Sequence, residues 1–107
     1  MENKTKAETY VGFAIRKGSY KIGVNAINTL KRAKLLIVCR TAGNDTARQA
    51  KKLAKRFNCR LLQTVKTDLS QIVYREKAKL LAITDEPLAL AVINGNDDEF
   101  IEEGLGE

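Results

Sequence analysis

The sequence predicts an α/β fold, a three-layer α/β/α sandwich in which a small mixed sheet carries helices on both faces. Three observations predict it. Stretches with apolar residues at three- and four-residue spacing alternate with short, continuous apolar runs. The runs "KLLIVC" (34–39) and "KLLAITD" (79–85) have strand length and little polar alternation, as in strands covered on both faces. A single proline and 44% apolar residues are ordinary for a globular domain and argue against disorder.

Each element has its own signal. Ala7, Tyr10, Val11, Ala14 and Ile15 form one stripe, so residues 6–17 read as an amphipathic helix that Gly18 terminates. Residues 20–22 are a short extended piece before Gly23. Val24, Ile27 and Leu30 then mark a short second helix, whose trailing Lys31 and Arg32 suit the negative end of its dipole. After the run at 34–39 comes the loop "RTAGND". Asn44 or Asp45 can cap a third helix with Ala47, Ala50, Leu53, Ala54 and Phe57 on its inner face. "CRLLQTV" is a further strand. "TDLSQIVYRE" is a short helix capped by Thr67 or Asp68, and "EPLALAVIN" is a last helix with Pro87 in its first turn.

This alternation places helices on both sides of one sheet. At 107 residues the chain is expected to form a single domain over residues 1–95, followed by an acidic, frayed tail over 96–107. The polar start "MENKTKAETY" lacks a signal-peptide segment, and no apolar run approaches the ~20 residues of a membrane span. A cytoplasmic monomer without membrane contact is expected.

Catalysis finds little support in the composition. There is no histidine, which removes the commonest general base. Cys39 and Cys59 stand twenty apart, a spacing that fits neither the usual zinc sites nor a disulfide framework. Cys39 ends an apolar run and reads as a packed small hydrophobe. Asp85 and Glu86 lie at a strand end, where α/β enzymes place acids, but a helix cap before Pro87 accounts for them better. "AGND" has neither the spacing nor the Gly-Lys-Ser/Thr ending of a phosphate loop. No enzyme, no cofactor and no metal site is expected.

The charge is unevenly spread. Residues 1–60 hold 15 Lys and Arg against 3 Asp and Glu, residues 61–96 are balanced, and residues 97–107 hold six acids and no base. A basic first half points to a polyanion partner, with the acidic tail tempering promiscuous binding. Lys21, Lys31, Arg32, Lys34 and Arg40 bracket the second helix and the end of the first long strand. The polar turns at 23–25 and 43–45 present backbone N–H groups suited to phosphates. Asn25 and Asn28 carry both a donor and an acceptor, as base-edge reading requires. The Lys/Arg face over 48–56 reads as a solvated helix surface and is left outside the site.

In order and spacing, the string "KIGVNAI…KRAKLLIVCRTAGNDTARQAKKLAKRFNCRLL…DLSQIV…KLLAITDEPLALAVI" resembles the kink-turn-binding ribosomal protein family, the L-seven-Ae/L-thirty-e type, nearest its small bacterial YlxQ-like branch. The resemblance covers residues 9–93. It implies the same sandwich, and an RNA surface built from Gly23, Val24 and Asn25, flanked by Lys21, Lys31 and Arg32. Its other walls would be the loop from Arg40 to Asn44, with Thr41, and the short helix-and-turn Leu69–Arg75, with Ile72, Val73, Tyr74 and Arg75 as its contact residues. Such a surface would meet sheared G·A pairs of a kinked duplex, with the turn covering an extruded base. The partner implied is structured RNA, either a kink-turn or ribosomal RNA, with ribosomal proteins as possible neighbours.

The chain departs from that pattern at two sets of site positions, and its second helix is about three residues shorter than the family's. Asn25 is followed by Ala26 where the family carries Glu or Gln, and Ser70 and Tyr74 stand where its turn carries glycines. Glycine there permits close backbone approach or positive φ, which Tyr74 adopts only at a cost. The alternative expectation is therefore a protein-interaction module on the same fold, with Ile72, Val73 and Tyr74 as an apolar contact patch.

Overall fold

Thr5 opens the first helix. Its Oγ1 accepts the Glu8 N–H at 3.2 Å while Glu8 Oε1 accepts the Thr5 N–H at 3.3 Å, a reciprocal capping box. The computed structural model describes residues 5–102. Its elements run α1 (Lys6–Lys17), β1 (Tyr20–Ile22), α2 (Val24–Asn28), β2 (Leu35–Val38), α3 (Asn44–Phe57), β3 (Arg60–Thr64), α4 (Leu69–Val73), β4 (Leu80–Ile83), α5 (Glu86–Gly95) and β5 (Phe100–Glu102).

The strands form one mixed sheet in the order β1-β4-β2-β3-β5. Only β2 and β3 are parallel, joined through α3, and every other neighbour is antiparallel. Residue alternation along each strand divides the core into two halves. Leu35, Ile37 and Cys39 of the β2 segment, with Leu81 and Ile83 of β4, pack beneath α1, α4 and α5. Leu36, Val38, Leu80 and Ala82 face α2 and α3 through Ile27, Ala50, Leu53 and Ala54. Both faces are covered, which explains why the β2 and β4 segments are apolar throughout. Burying each of these large side chains stabilises the fold by about 1.5–3 kcal/mol.

The expected three-layer sandwich is therefore present, with differences at the element ends. The N-cap of α3 is Gly43, so Asn44 and Asp45 are its first two residues and make no side-chain cap bond. Asp68 holds the cap position of α4, but its carboxylate accepts from Arg40 rather than from its own helix. Asp85 does cap α5: its Oδ1 accepts the Leu88 N–H at 2.9 Å, and its carboxylate pairs with Lys17.

The expected fraying from residue 96 onward is corrected over the described part. Asn96 exchanges two hydrogen bonds with the Phe100 backbone, at 3.0 and 3.1 Å, and the Val65 N–H donates to the Glu99 carbonyl at 3.0 Å. Phe100 is thereby seated in the core, and β5 lines up antiparallel to β3. Residues 103–107 of the expected tail lie outside the described residues. No helix among the described residues is long and apolar enough to cross a membrane.

Candidate nucleic-acid interface

Strand register decides which loops meet. Val38 lies opposite Leu80 and beside Gln63, and Ile22 lies opposite Leu81. One end of the sheet therefore gathers the exit of β1, the exit of β2, the exit of β3 and the entry of β4. Residues 23–25, 40–44 and 77–79 converge there from three distant parts of the chain.

Gly23 makes the turn from β1 into α2 at φ +94°, a conformation that side-chain-bearing residues rarely adopt. Its N–H donates to the Leu80 carbonyl at 2.9 Å, which ties the turn to the entry of β4. Val24 follows half-buried and Asn25 exposed. With Thr46 of α3, Lys77 and Lys79, these residues line an open cleft. Lys79 Nζ donates to Thr41 Oγ1 at 2.6 Å across the end of the sheet. Asn44 is exposed at the start of α3, and Lys21 projects from the border strand β1.

Arg40 braces the neighbouring loop. Its Nε donates to Asp68 at 2.9 Å and its Nη1 to the Val65 carbonyl at 2.7 Å, so α4 is held against the exit of β2. Behind it, Cys39 is 2% exposed, and its Sγ receives the Leu69 N–H at 3.3 Å and lies 3.1 Å from Thr41 Oγ1. Burial pushes this thiol up, but hydrogen bonds from Thr41 and from the Leu69 backbone outweigh it and hold the thiol below its usual range. Cys59 has no such donors, and burial pushes it up to about 11.

The other expected site residues fall into three groups. Tyr74 and Arg75 are exposed and stand to one side, above a groove between α1 and α4, where Arg75 donates to the Tyr20 hydroxyl at 3.3 Å. Ile72 and Val73 are corrected: at 2% and 1% exposure they belong to the core beneath α4, and only Tyr74 of the expected apolar patch reaches the surface. Tyr74 closes α4 in the left-handed conformation, at φ +57°, where the family pattern has glycine.

Asn28, Lys31 and Arg32 are also displaced from the site. Arg56 donates to the Asn28 side chain at 2.7 Å and to the Asn28 and Leu30 carbonyls at 2.9 and 3.0 Å. Residues 28–30 are thus fastened to the C-terminal end of α3, while Thr46 sits in the cleft at its N-terminal end. Ten residues of helix separate the two, about 15 Å. Lys31 and Arg32 follow Leu30 and are exposed at that far end.

Lys77 and Lys79 were not legible as site residues in the sequence. The alternation of lysines just before "LLAI" was visible, but its meaning depends on β4 running antiparallel to β2.

No protein-family model matches the chain, and no curated protein matches it. A solved structure, that of a protein with unknown function from Bacillus halodurans, shares the fold with a TM-score of 0.71. The match covers 85% of this chain and 96% of that one at 14% identity, a likeness of fold alone. The class that fold defines is a small α/β sandwich with a five-stranded mixed sheet.

Proposed function

We propose that the protein binds structured RNA, without catalysis, through the end of the sheet formed by residues 23–25, 40–44 and 77–79. The observation that carries this reading is an open cleft in which Lys77 and Lys79 share the lining with Asn25, and to which the loop after β2 is tied by the bond from Lys79 to Thr41. Ammonium groups supply phosphate contacts, and a short amide side chain between them supplies a base-edge donor and acceptor. Tyr74, 69% exposed beside Arg75, offers a ring on which an unpaired base can stack. The resemblance to the kink-turn-binding family suggests a kinked stem as the ligand and a ribonucleoprotein of the cytoplasm as the setting.

The test is a titration of the full chain against a kink-turn RNA and a matched straight duplex at two salt concentrations. Selective, salt-dependent binding to the kinked RNA is the expected result. Equal binding to both would remove kink-turn recognition, and no binding to either would remove the RNA reading altogether.

A further inference from the structure

The other end of the sheet, where β2 and β3 begin and β4 ends, holds an open cavity of about 530 Å³. Phe57, Cys59, Leu90 and Ile93 give it apolar walls. Leu90 is 50% exposed, and from Pro87 to Ile93 α5 carries no polar side chain. A helix without a polar face is one that neighbours cover. Lys34 and Arg60 also line the cavity, against one acid among the described lining residues, Glu86.

β5 points the chain at this cavity. Phe100 lies opposite Thr64 and Glu102 opposite Leu62, so the strand runs towards the entry of β3. Arg60, on the cavity wall, already approaches Glu102, with 3.7 Å between Nε and Oε2. The next residues in the sequence are Glu103, Gly104, Leu105, Gly106 and Glu107. They hold one large apolar side chain between two acids, the complement of an apolar cavity that carries two cations. Continued in the same register, the chain would bring Leu105 beside Cys59. Three residues past Glu102 extend up to about 10 Å, and glycine on either side of Leu105 lets the backbone turn inward.

We propose that residues 103–107 dock on their own chain, seating Leu105 in the cavity between α5 and the end of α3, with Glu103 and Glu107 beside the cations Arg60 and Lys34. The contact does not depend on the RNA reading. It latches the edge strand β5, and through it Phe100, to the rest of the fold. It also engages the acids of 103–107 at the end of the sheet opposite Asn25 and Lys79, so they leave that cleft open.

Cys59 reports the contact, because the docked segment covers it, while Cys39 lies buried in the core and serves as reference. The full chain is treated with N-ethylmaleimide, and labelling of the two cysteines is followed separately by mass spectrometry. Leu105→Asn and Leu105→Asn/Glu103→Gln/Glu107→Gln are compared with wild type. Cys59 should label on the order of tenfold faster in both variants, the factor that about 1.4 kcal/mol of lost closure gives, with Cys39 unchanged. Equal Cys59 rates in all three proteins overturn the proposal. So does a rise at Cys39 that matches the rise at Cys59, which reports general loosening of the fold. A second measurement separates self-docking from pairing of two copies. Oxidised under dilute conditions, the Leu105→Cys variant should form a disulfide with Cys59 within one chain, which requires Cα atoms about 4.4–6.8 Å apart. A disulfide between two chains, with Cys59 protection that rises with protein concentration, overturns the proposal in favour of a second copy.

Discussion

Lys79 Nζ donates to Thr41 Oγ1 at 2.6 Å, joining the entry of β4 to the exit of β2 at the end of the sheet that carries Gly23 and Asn25. The bond holds a cation at the lip of the cleft, where an approaching phosphate would meet it. Lys79→Gln should therefore weaken every RNA alike and make the salt slope shallower by roughly 0.7–0.9. Thr41→Val keeps the charge and should change binding little. Identical slopes for wild type and Lys79→Gln would place Lys79 outside the contact.

Asn25 and Asn28 lie on one short helix, yet their surroundings predict different outcomes. Asn25 is exposed in the cleft, and Asn25→Ala should cost about 1–3 kcal/mol of selectivity between kinked and straight RNA. Asn28 accepts from Arg56, so Asn28→Ala should lower stability by about 1 kcal/mol and leave selectivity intact. Parallel titrations and urea melts of the two variants separate these effects.

Tyr74 sits at φ +57°, a conformation that costs an L-residue about 1–2 kcal/mol and costs glycine almost nothing. Comparing Tyr74→Gly with Tyr74→Ala isolates that backbone term, since both remove the ring. The glycine variant should be the more stable by about 1 kcal/mol. If the alanine variant melts at the same temperature or higher, the strain has been relieved elsewhere. Both should weaken binding of an RNA with an unpaired base if the ring stacks on it.

Asp85 gives the fold an acid-sensitive point. The hydrogen bond from Lys17, then that from the Leu88 N–H, hold its carboxyl below the usual 3.8. A carboxyl depressed in the folded state stabilises fully above its unfolded pKa, and that contribution is lost as pH falls through the folded value. Wild type should therefore melt above Asp85→Asn at neutral pH, and the gap should narrow as pH drops below about 4. A gap of constant size down to the lowest accessible pH would show that the charge contributes nothing.

Phe100 seats β5 in the core, so Phe100→Ala should cost roughly 3 kcal/mol in urea unfolding. Ending the chain after Asn96 should destabilise it comparably. Whether acids shield the basic face is better tested by ending the chain after Glu102, which leaves the strand in place. A Phe100→Ala variant as stable as wild type would show that β5 is dispensable.

Much of the fold was legible because local pattern and burial agree. The unbroken apolar runs of β2 and β4 announce strands covered on both faces, and the stripe of α1 matches Lys6–Lys17 residue for residue. β5 was missed because one buried residue, Phe100, carries it, and "NGNDDE" before it is polar. Its anchor is the pair of bonds between Asn96 and the Phe100 backbone, for which no composition rule exists. The site was legible only in part. Gly23 announced its turn, but the distance from Asn25 to Lys31 follows from how α2 lies along α3. Ile72 and Val73 could be read as a surface patch or as core, because a five-residue helix is too short to reveal its inner face by periodicity.

The sheet has a consequence for how molecules of this protein meet. Its two margins, β1 and β5, are only three residues long. Lys21 sits at the middle of one, and Glu102 ends the other. A long, flat, apolar margin is a template onto which another chain can add a strand, and short charged margins deny it. The long strands β2, β3 and β4, whose apolar content would make them hazardous in that role, are enclosed between neighbours on both sides.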